Sequence, residues 1–272
     1  MTDALLDVVR DGVRIFDLGR PMFVGMPQSP NHPAYWHTMP RRHGDRLRAD
    51  GSSAANDLIV TGTHVGTHID SLAHVSFRGS LHGGADAAAE QAGGRLMKHG
   101  VHTIEPMVCR GILLDVPAAL GVAECEPAYE ITAADLEATV AHHGISIGPG
   151  DVALVRSGWG RRFAEGAEAY VGQSTGVPGV SDAGASWLAD AGIRAAGADT
   201  IAFEQLPAGG GHASLPAHRV LLVERGVYII EALDLDELAA AGIWEFTFVL
   251  VPLNLVGATG SPVRPLAVVA DA

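Results

Sequence analysis

The stretch from Thr63 to His74, THVGTHIDSLAH, places three imidazoles and a carboxylate within twelve residues, with Gly66 between the first two histidines. His64, Gly66, His68, Asp70 and His74 share one parity, so an extended backbone would turn all five toward the same side. A helix would swing Asp70 about 120° away from the His64 and His68 face. The surrounding Gly, Thr, Val and Ile also favour a strand or loop. The segment Leu58 to His74 is therefore expected to be a strand running into a loop that turns its polar edge to a cavity. In that setting Gly66 would let the backbone approach an ion without burying a Cβ in the site. Two imidazole nitrogens and a carboxylate oxygen suit Zn2+ or Mn2+, and the lack of nearby thiolates argues against iron-sulfur clusters, Cu(I) and closed structural zinc sites. Three protein ligands leave positions open for water, whose pKa falls toward ~7 on such an ion. The hydroxide so formed can attack a carbonyl that the same ion polarises. His74 would then either move a proton to the departing atom or orient a ligand.

The pattern H-x-G-T-H-x-D, followed four residues later by His74, resembles the signature of the metal-dependent cyclase or kynurenine formamidase superfamily, which includes arylformamidases and isatin hydrolases. Further segments are similar to that superfamily: ANDLIV before the signature, LVRSGW at Leu154 to Trp159, GADT at Gly197, AHRVLLVERGVYIIEALDL from Ala217, and the closing FVLVPLNLVGATGSPVRPLAV. The resemblance implies a mixed-sheet α/β fold of the swivelling β/β/α type. It makes His64, His68 and Asp70 metal ligands and His74 the general acid or base. It also implies that Asp70 bridges to a second ion held by His218 and Glu231, giving one or two Mn2+ or Zn2+ per chain, and that the chain forms a homodimer or homotetramer. One departure stands out. Many members carry proline two residues before the last signature histidine, where this chain has Leu72.

The remaining elements must position these groups, and their pattern is mixed α and β without an internal repeat or a dividing linker. Residues 1–272 are read as one domain, long enough to bury a sizeable core. Val13 to Leu18 is expected to be a first strand. Pro21, Pro27, Pro30, Pro33 and Pro40 predict an extended, irregular loop, since each fixes φ and removes a donor. Thr132 with Asp135 reads as a helix start and Gly144 as its stop, and Ser181 as the cap of a helix ending near Gly192. Val152 to Arg156 and Ile193 to Ala198 read as strands. Val227 to Ala232 and Trp244 to Val251 read as β-rich runs flanking a short helix at Asp236 to Ala240, with a turn at Arg225 and Gly226. Gly209, Gly210 and Gly211 mark a mobile loop before His212. His212 and Ser214 are candidates for substrate contact, with a polar surface loop as the plain alternative. Phe23, Trp36 and Trp159 are candidates to line a pocket for a flat ring, with core packing as theirs.

Composition narrows the function. Eighteen Lys and Arg against 31 Asp and Glu give a formal charge of −13, which opposes phosphate backbones and anionic membrane surfaces. The partner expected is a small-molecule substrate, with no nucleic acid and no membrane. The basic run Arg41, Arg42, Arg46 and Arg48 is broken by Asp45 and followed by Asp50, as on a solvated loop. Cys109 and Cys125 form no C-x-x-C pair and suggest no disulfide framework, and the start MTDALLDVVRDGV lacks the charge and apolar run of a signal peptide. A cytoplasmic location is expected. No G-x-S-x-G, P-loop or dinucleotide fingerprint is present. The expected function is a metal-dependent hydrolase opening a small amide, either cyclic as in isatin or an aryl formamide. The alternatives are a lactone hydrolase, a cyclase or dehydratase using the same ion, or a non-catalytic metal-binding protein.

Overall fold

The computed structural model describes residues 4–271, and its framework is a nine-stranded mixed sheet. The strands in chain order are β1 (Val13–Asp17), β2 (Trp36–Arg41), β3 (Asn56–Val60), β4 (His68–Asp70), β5 (Met107–Asp115), β6 (Glu130–Ile131), β7 (Val152–Arg156), β8 (Gly179–Val180), β9 (Ala195–Ala198), β10 (Tyr228–Glu231), β11 (Glu245–Leu250), β12 (Gly260–Pro262) and β13 (Leu266–Ala270). Across the large sheet the order is β1-β13-β11-β5-β7-β9-β10-β4-β12. Its centre, β5-β7-β9-β10, is parallel, and the pairs on either side are antiparallel. This is the mixed α/β fold that the resemblance implied.

The central strands are buried on both faces because helices cover one side and loops with a short helix the other, and their alternate residues divide accordingly. Ile112, Leu114, Ala153, Val155, Ala196 and Ile229 join the cluster beneath the helices Ala133–His143 and Asp182–Asp190. Leu113, Val152, Leu154, Ala195 and Ile230 join the opposite cluster, with Ile69, Leu233, Leu238 and Phe248. Strand β9 is built of small residues because there is no room for more. A Cβ on Gly197 would lie 2.7 Å from Leu233 Cδ1 and 2.8 Å from Leu154 Cδ2.

Local signals position the helices as expected. Thr132 and Asp135 form a reciprocal capping box, Gly144 ends the helix in the left-handed region at φ 64°, and the Ser181 hydroxyl accepts from Gly184 N–H. The helix Asp236–Ala240 matches its expected span. Two expectations need correction, and one run left unassigned by the sequence takes a special form. The proline-rich segment does not stay irregular through residue 40: Trp36–Arg41 pairs with Asn56–Val60 as a two-stranded ribbon, and an irregularity between Thr38 and Arg41 accommodates Pro40. Before the turn at Arg225 and Gly226, the apolar run Arg219–Arg225 is a π-helix, closed by Gly226 at φ 70°, a form common near functional sites. Leu58 to His74 is not one continuous extended segment, because β3 ends at Val60 and a turn through Gly66, at φ 70°, intervenes before β4. The N-terminal stretch forms a helix, Ala4–Asp11, while Met1 to Asp3 lie outside the described residues. Among the described residues no helix is long and apolar enough to cross a membrane, and both cysteines are free thiols.

Gly197→Ala is expected to destabilise the fold by about 1–3 kcal/mol, the usual cost of overpacking a filled core. Denaturant unfolding checks it, and an unchanged midpoint would show that Leu154 and Leu233 move aside freely.

Candidate metal centre

Strand β4 is only three residues long, and both its neighbours build the site. Its pairing with β10 sets Glu231 opposite His68 and Ile229 opposite Asp70, while β12 sets Pro262 opposite His68 and Gly260 opposite Asp70. Alternation sends Ile69 into the core and His68 and Asp70 to the other face, where Glu231 joins them from its cross-strand position. His218 arrives from a short helix, Pro216–His218, immediately before the π-helix.

The hydrogen-bond pattern fixes which ring atoms face inward. His68 Nδ1 lies 2.9 Å from Gly66 O, and since a carbonyl only accepts, Nδ1 carries the proton. His218 Nδ1 lies 2.6 Å from Glu204 Oε1, so it too donates outward. Both Nε2 atoms therefore point at carboxylates. His68 Nε2 is 3.3 Å from Glu231 Oε2 and 3.5 Å from Asp70 Oδ1; His218 Nε2 is 3.2 Å from Glu231 Oε1 and 3.6 Å from Asp70 Oδ2. Although these are ion-pair distances, Asp70 Oδ2 and Glu231 Oε1 are buried without a hydrogen-bond partner. Two lone pairs and two carboxylates converging in a buried space require positive charge, supplied either by a proton on each Nε2 or by a divalent cation. Orphaned oxygens and a nitrogen and oxygen donor set both fit Zn2+ or Mn2+.

A second cluster shares Asp70. His64, Asp70 and His74 offer donor atoms within 4.8 Å of one another, as do His68, Asp70 and Glu231. The spacing of the motif suggested His64, His68 and Asp70 as one triad, whereas the structure groups His64 with His74 and His68 with Glu231. His64 Nδ1 is 2.6 Å from Asp70 Oδ1, its Nε2 is 2.8 Å from Thr259 Oγ1, and its ring stacks at 3.9 Å on His74. Gly260 makes room for this ring, since a Cβ there would lie 2.5 Å from His64 Cε1. Gly66 borders the same cavity and also has a local role. Its φ of 70° turns the chain, and a Cβ would lie 3.3 Å from Met22 Cγ.

Charge states follow from burial and neighbours. Burial opposes charging His68, but the Glu231 hydrogen bond and the Asp70 charge outweigh it and raise its pKa to about 9. His218 is raised in the same way by Asp70, Glu204 and Glu231 against its own burial. Despite burial, Glu231 is held down to about 2 by His218 and His68, and Asp70 lies well below the usual carboxylate range through the surrounding histidines. His74 differs. Burial outweighs the pull of Asp70, and with the like charges of His64 and His218 it pushes this ring down to about 4, leaving it neutral at pH 7.

His64, His68, His74, His218 and Glu231 line a cavity of about 140 Å³ that also receives His32, His212, Ile201, Leu215 and Ala232, while Asp70 is fully buried. Asn31 and His212 also border a neighbouring cavity of about 360 Å³ lined by Gly209, Gly210 and Gly211. Reasoning from sequence missed His32, which stacks at 5.3 Å on His64, and Glu204. His32 gave no spacing signal; its only mark is a histidine inside the proline-rich SPNHP. The aromatic candidates lie elsewhere. Trp159 is fully buried and gives its indole N–H to Tyr170 O, because it fills the core beside Phe163 and Tyr170. Phe23 is half exposed, edge-on to Phe163, and Trp36 is 63% exposed on the β2–β3 ribbon. None of the three lines the cavity, and Ser214 is exposed outside it, with Leu215 turned inward instead.

Removing metal exposes the electrostatics to titration. His68 is raised from 6.5 to about 9 in the fold, so its contribution to stability is full below pH 6.5 and is lost as pH rises through about 9. Glu231 is lowered from 4.5 to about 2, so its contribution is full above pH 4.5 and is lost as pH falls through about 2. Chelator-treated protein should therefore melt at its highest temperature between these windows and at progressively lower temperatures from pH 6.5 to 9. Saturating Zn2+ should reverse that slope, since a cation competes with the imidazole protons. Calorimetry with and without metal checks this, and a flat metal-free profile from pH 6.5 to 9 would contradict the charge assignment.

Comparison with known proteins agrees with fold and motif. The Cyclase family model matches residues 16–205. Isatin hydrolase of Roseibium aggregatum is 28% identical over 233 residues, covering 82% of this chain and 78% of its own. Cyclase-like protein 3 of Oryza sativa subsp. japonica is 28% identical over 228 residues, covering 79% of this chain and 66% of its own. The crystal structure of a novel cyclase superposes with a TM-score of 0.86 at 27% identity, covering 98% of this chain and 93% of that one. Isatin hydrolase A from Ralstonia solanacearum shares the fold with a TM-score of 0.74 at 21% identity, covering 99% and 98%. Because the family match spans more than half of the 272 residues and includes the whole histidine motif, the chain belongs to the Cyclase family.

Proposed function

We propose that this chain is a metal-dependent hydrolase that opens a small amide, either a cyclic amide of the isatin type or an aryl formamide. The observation that carries this reading is the convergence of His68, Asp70, His218 and Glu231, with two buried oxygens unpartnered, beside a neutral His74 in a cavity of about 140 Å³. The likeness to isatin hydrolase supports the substrate class. A divalent ion, Mn2+ or Zn2+, supplies Lewis acidity when bound, lowering the pKa of a water and polarising a carbonyl.

His68, Asp70, His218 and Glu231 would hold one ion, and His64 with Asp70 and His74 offer donors for a second. The rest of the work falls to the walls. His74, neutral near pH 7, can accept a proton and return it to the departing nitrogen, provided it is not itself a ligand. His32 and His212, the first half-buried and the second on the glycine loop, face the cavity and are placed to orient the carbonyl substituents. Burial lowers the pKa of both, so each meets a substrate as a neutral donor or acceptor.

Two measurements test this reading. His68→Ala and Glu231→Gln should each weaken or empty the metal site and abolish turnover, because losing one of a few ligands forfeits most of the affinity. His74→Ala should retain the ion held by His68, Asp70, His218 and Glu231 while kcat falls by roughly 10² to 10⁴, the usual size of an acid or base contribution. Metal analysis and turnover on a panel of formamides, cyclic amides and lactones read both. Preference for lactones would move the chain to the ester-opening alternative, and parallel loss of metal and activity in His74→Ala would make it a ligand.

The homodimer or homotetramer implied by the resemblance is part of the same reading, and the β2–β3 ribbon supports it. Trp36, Met39, Leu58, Ile59 and Val60 are all exposed there, and a lone two-stranded ribbon with apolar faces is marginal in water. Light scattering should give a multiple of the 28.2 kDa chain mass, and Ile59→Glu with Trp36→Glu should shift it to the monomer. An unchanged mass in that double variant would remove the ribbon from the interface.

A further inference from the structure

We infer that Glu204 is a positioning residue of the metal centre: it fixes the tautomer and direction of His218 so that Nε2 faces Asp70 and Glu231. The inference rests on the reading that this cluster takes a divalent cation. Glu204 is 1% exposed and its carboxylate makes three contacts with one turn of chain. Oε2 accepts Ala217 N–H at 2.9 Å, and Oε1 accepts His218 N–H at 3.1 Å and stands 2.6 Å from His218 Nδ1. The first two bonds belong to any carboxylate at a helix start. The third does not, because it holds the ring itself. With Nδ1–H committed to Glu204, the only nitrogen of His218 that can take a cation is Nε2, which lies among the two orphaned oxygens.

The chain around Glu204 is built to hold it there. Phe203 is fully buried at φ 57°, a left-handed conformation that a bulky residue adopts only when its surroundings impose it. Gly179 lets the β8 backbone pass so close that a Cβ would lie 2.2 Å from Glu204 C. Val180 bridges to Glu204 in parallel, and Leu206 exchanges backbone bonds with Val177. Glu204 is thereby anchored to the small β6–β8 sheet, independently of β4 and β10, so the His218 direction is set from a third part of the fold.

The test compares the parent, Glu204→Gln, His218→Ala and the double variant as full chains, by calorimetric titration with Zn2+ and by the visible spectrum of the Co2+ form. Glu204→Gln keeps the volume, but one of its two oxygens becomes an NH2 group that cannot accept, so it no longer holds both Ala217 N–H and His218, and as a neutral partner it binds the His218 ring far less firmly. Its Zn2+ affinity should fall 10- to 100-fold with an altered Co2+ spectrum, the usual size of an effect on a ligand-orienting partner. In the His218→Ala background the same change should cost nothing further. Affinity within threefold of the parent, with an unchanged Co2+ spectrum, would overturn the inference, as would an equal loss in the His218→Ala background, which marks a general effect on folding. Should Glu204→Gln not fold, Glu204→Asp takes its place, since its shorter reach keeps the charge and lengthens the contact. A parent that binds neither Zn2+ nor Co2+ rejects the metal-dependent reading itself, an outcome distinct from failure of the Glu204 assignment.

Discussion

The site depends on three residues of strand held between two others. His68–Asp70 is too short to be stable by itself, and it keeps its register because β10 pairs along one edge and β12 along the other. A slip of one residue would send Ile69 into the polar cavity and both ligand candidates into the apolar cluster of Leu113, Leu154 and Ile230. The burial of Ile69 therefore protects the chemistry, since the same alternation that hides it exposes His68 and Asp70 to Glu231. Thr67 locks the entry to this strand: its hydroxyl donates to Ala232 O and accepts from Arg20 N–H, and its carbonyl accepts from Val263 N–H.

Arg20 extends that lock. Its guanidinium lies over the Phe163 and Tyr170 rings, gives NH2 to Leu233 O and reaches Asp234 at 3.4 Å. The segment after Glu231 is thus tied both to the loop before β4 and to the aromatic cluster that holds Trp159. Fixing Glu231 and His68 from both ends allows two carboxylates and several imidazoles to remain close in a buried space, where a looser scaffold would let them separate or admit water.

Electrostatics divides the histidines into two groups. His68 and His218 face carboxylates and are drawn toward positive charge, while His74, His32 and His212 are driven toward neutrality mainly by burial. Rings drawn toward positive charge and rings driven toward neutrality thus coexist in one cavity, because direct hydrogen bonds to carboxylates outweigh burial at His68 and His218 and the Asp70 charge alone does not at His74. The net charge of −13 is not the cause, since Asp70, Glu204 and Glu231 are buried and act locally.

What the sequence determined by itself was local. The caps at Thr132, Gly144 and Ser181 are made by side chains and turns within a few residues of the helix ends, so spacing alone identifies them. The motif likewise marked His68 and Asp70 as neighbours on one strand face, because alternation is a property of the backbone. His218 and Glu231 were named through resemblance and not through spacing, for Glu231 meets His68 by strand pairing between residues more than 150 positions apart and His218 comes in from a separate short helix. Only the tertiary structure showed that Asp70 is shared between His64 with His74 and His68 with Glu231, all four of which line one cavity. It also brought in His32 and Glu204, sent Trp159 to the core and left Trp36 on an exposed ribbon. Such placements depend on which surfaces meet when the sheet closes, and no local pattern of residue types encodes that meeting.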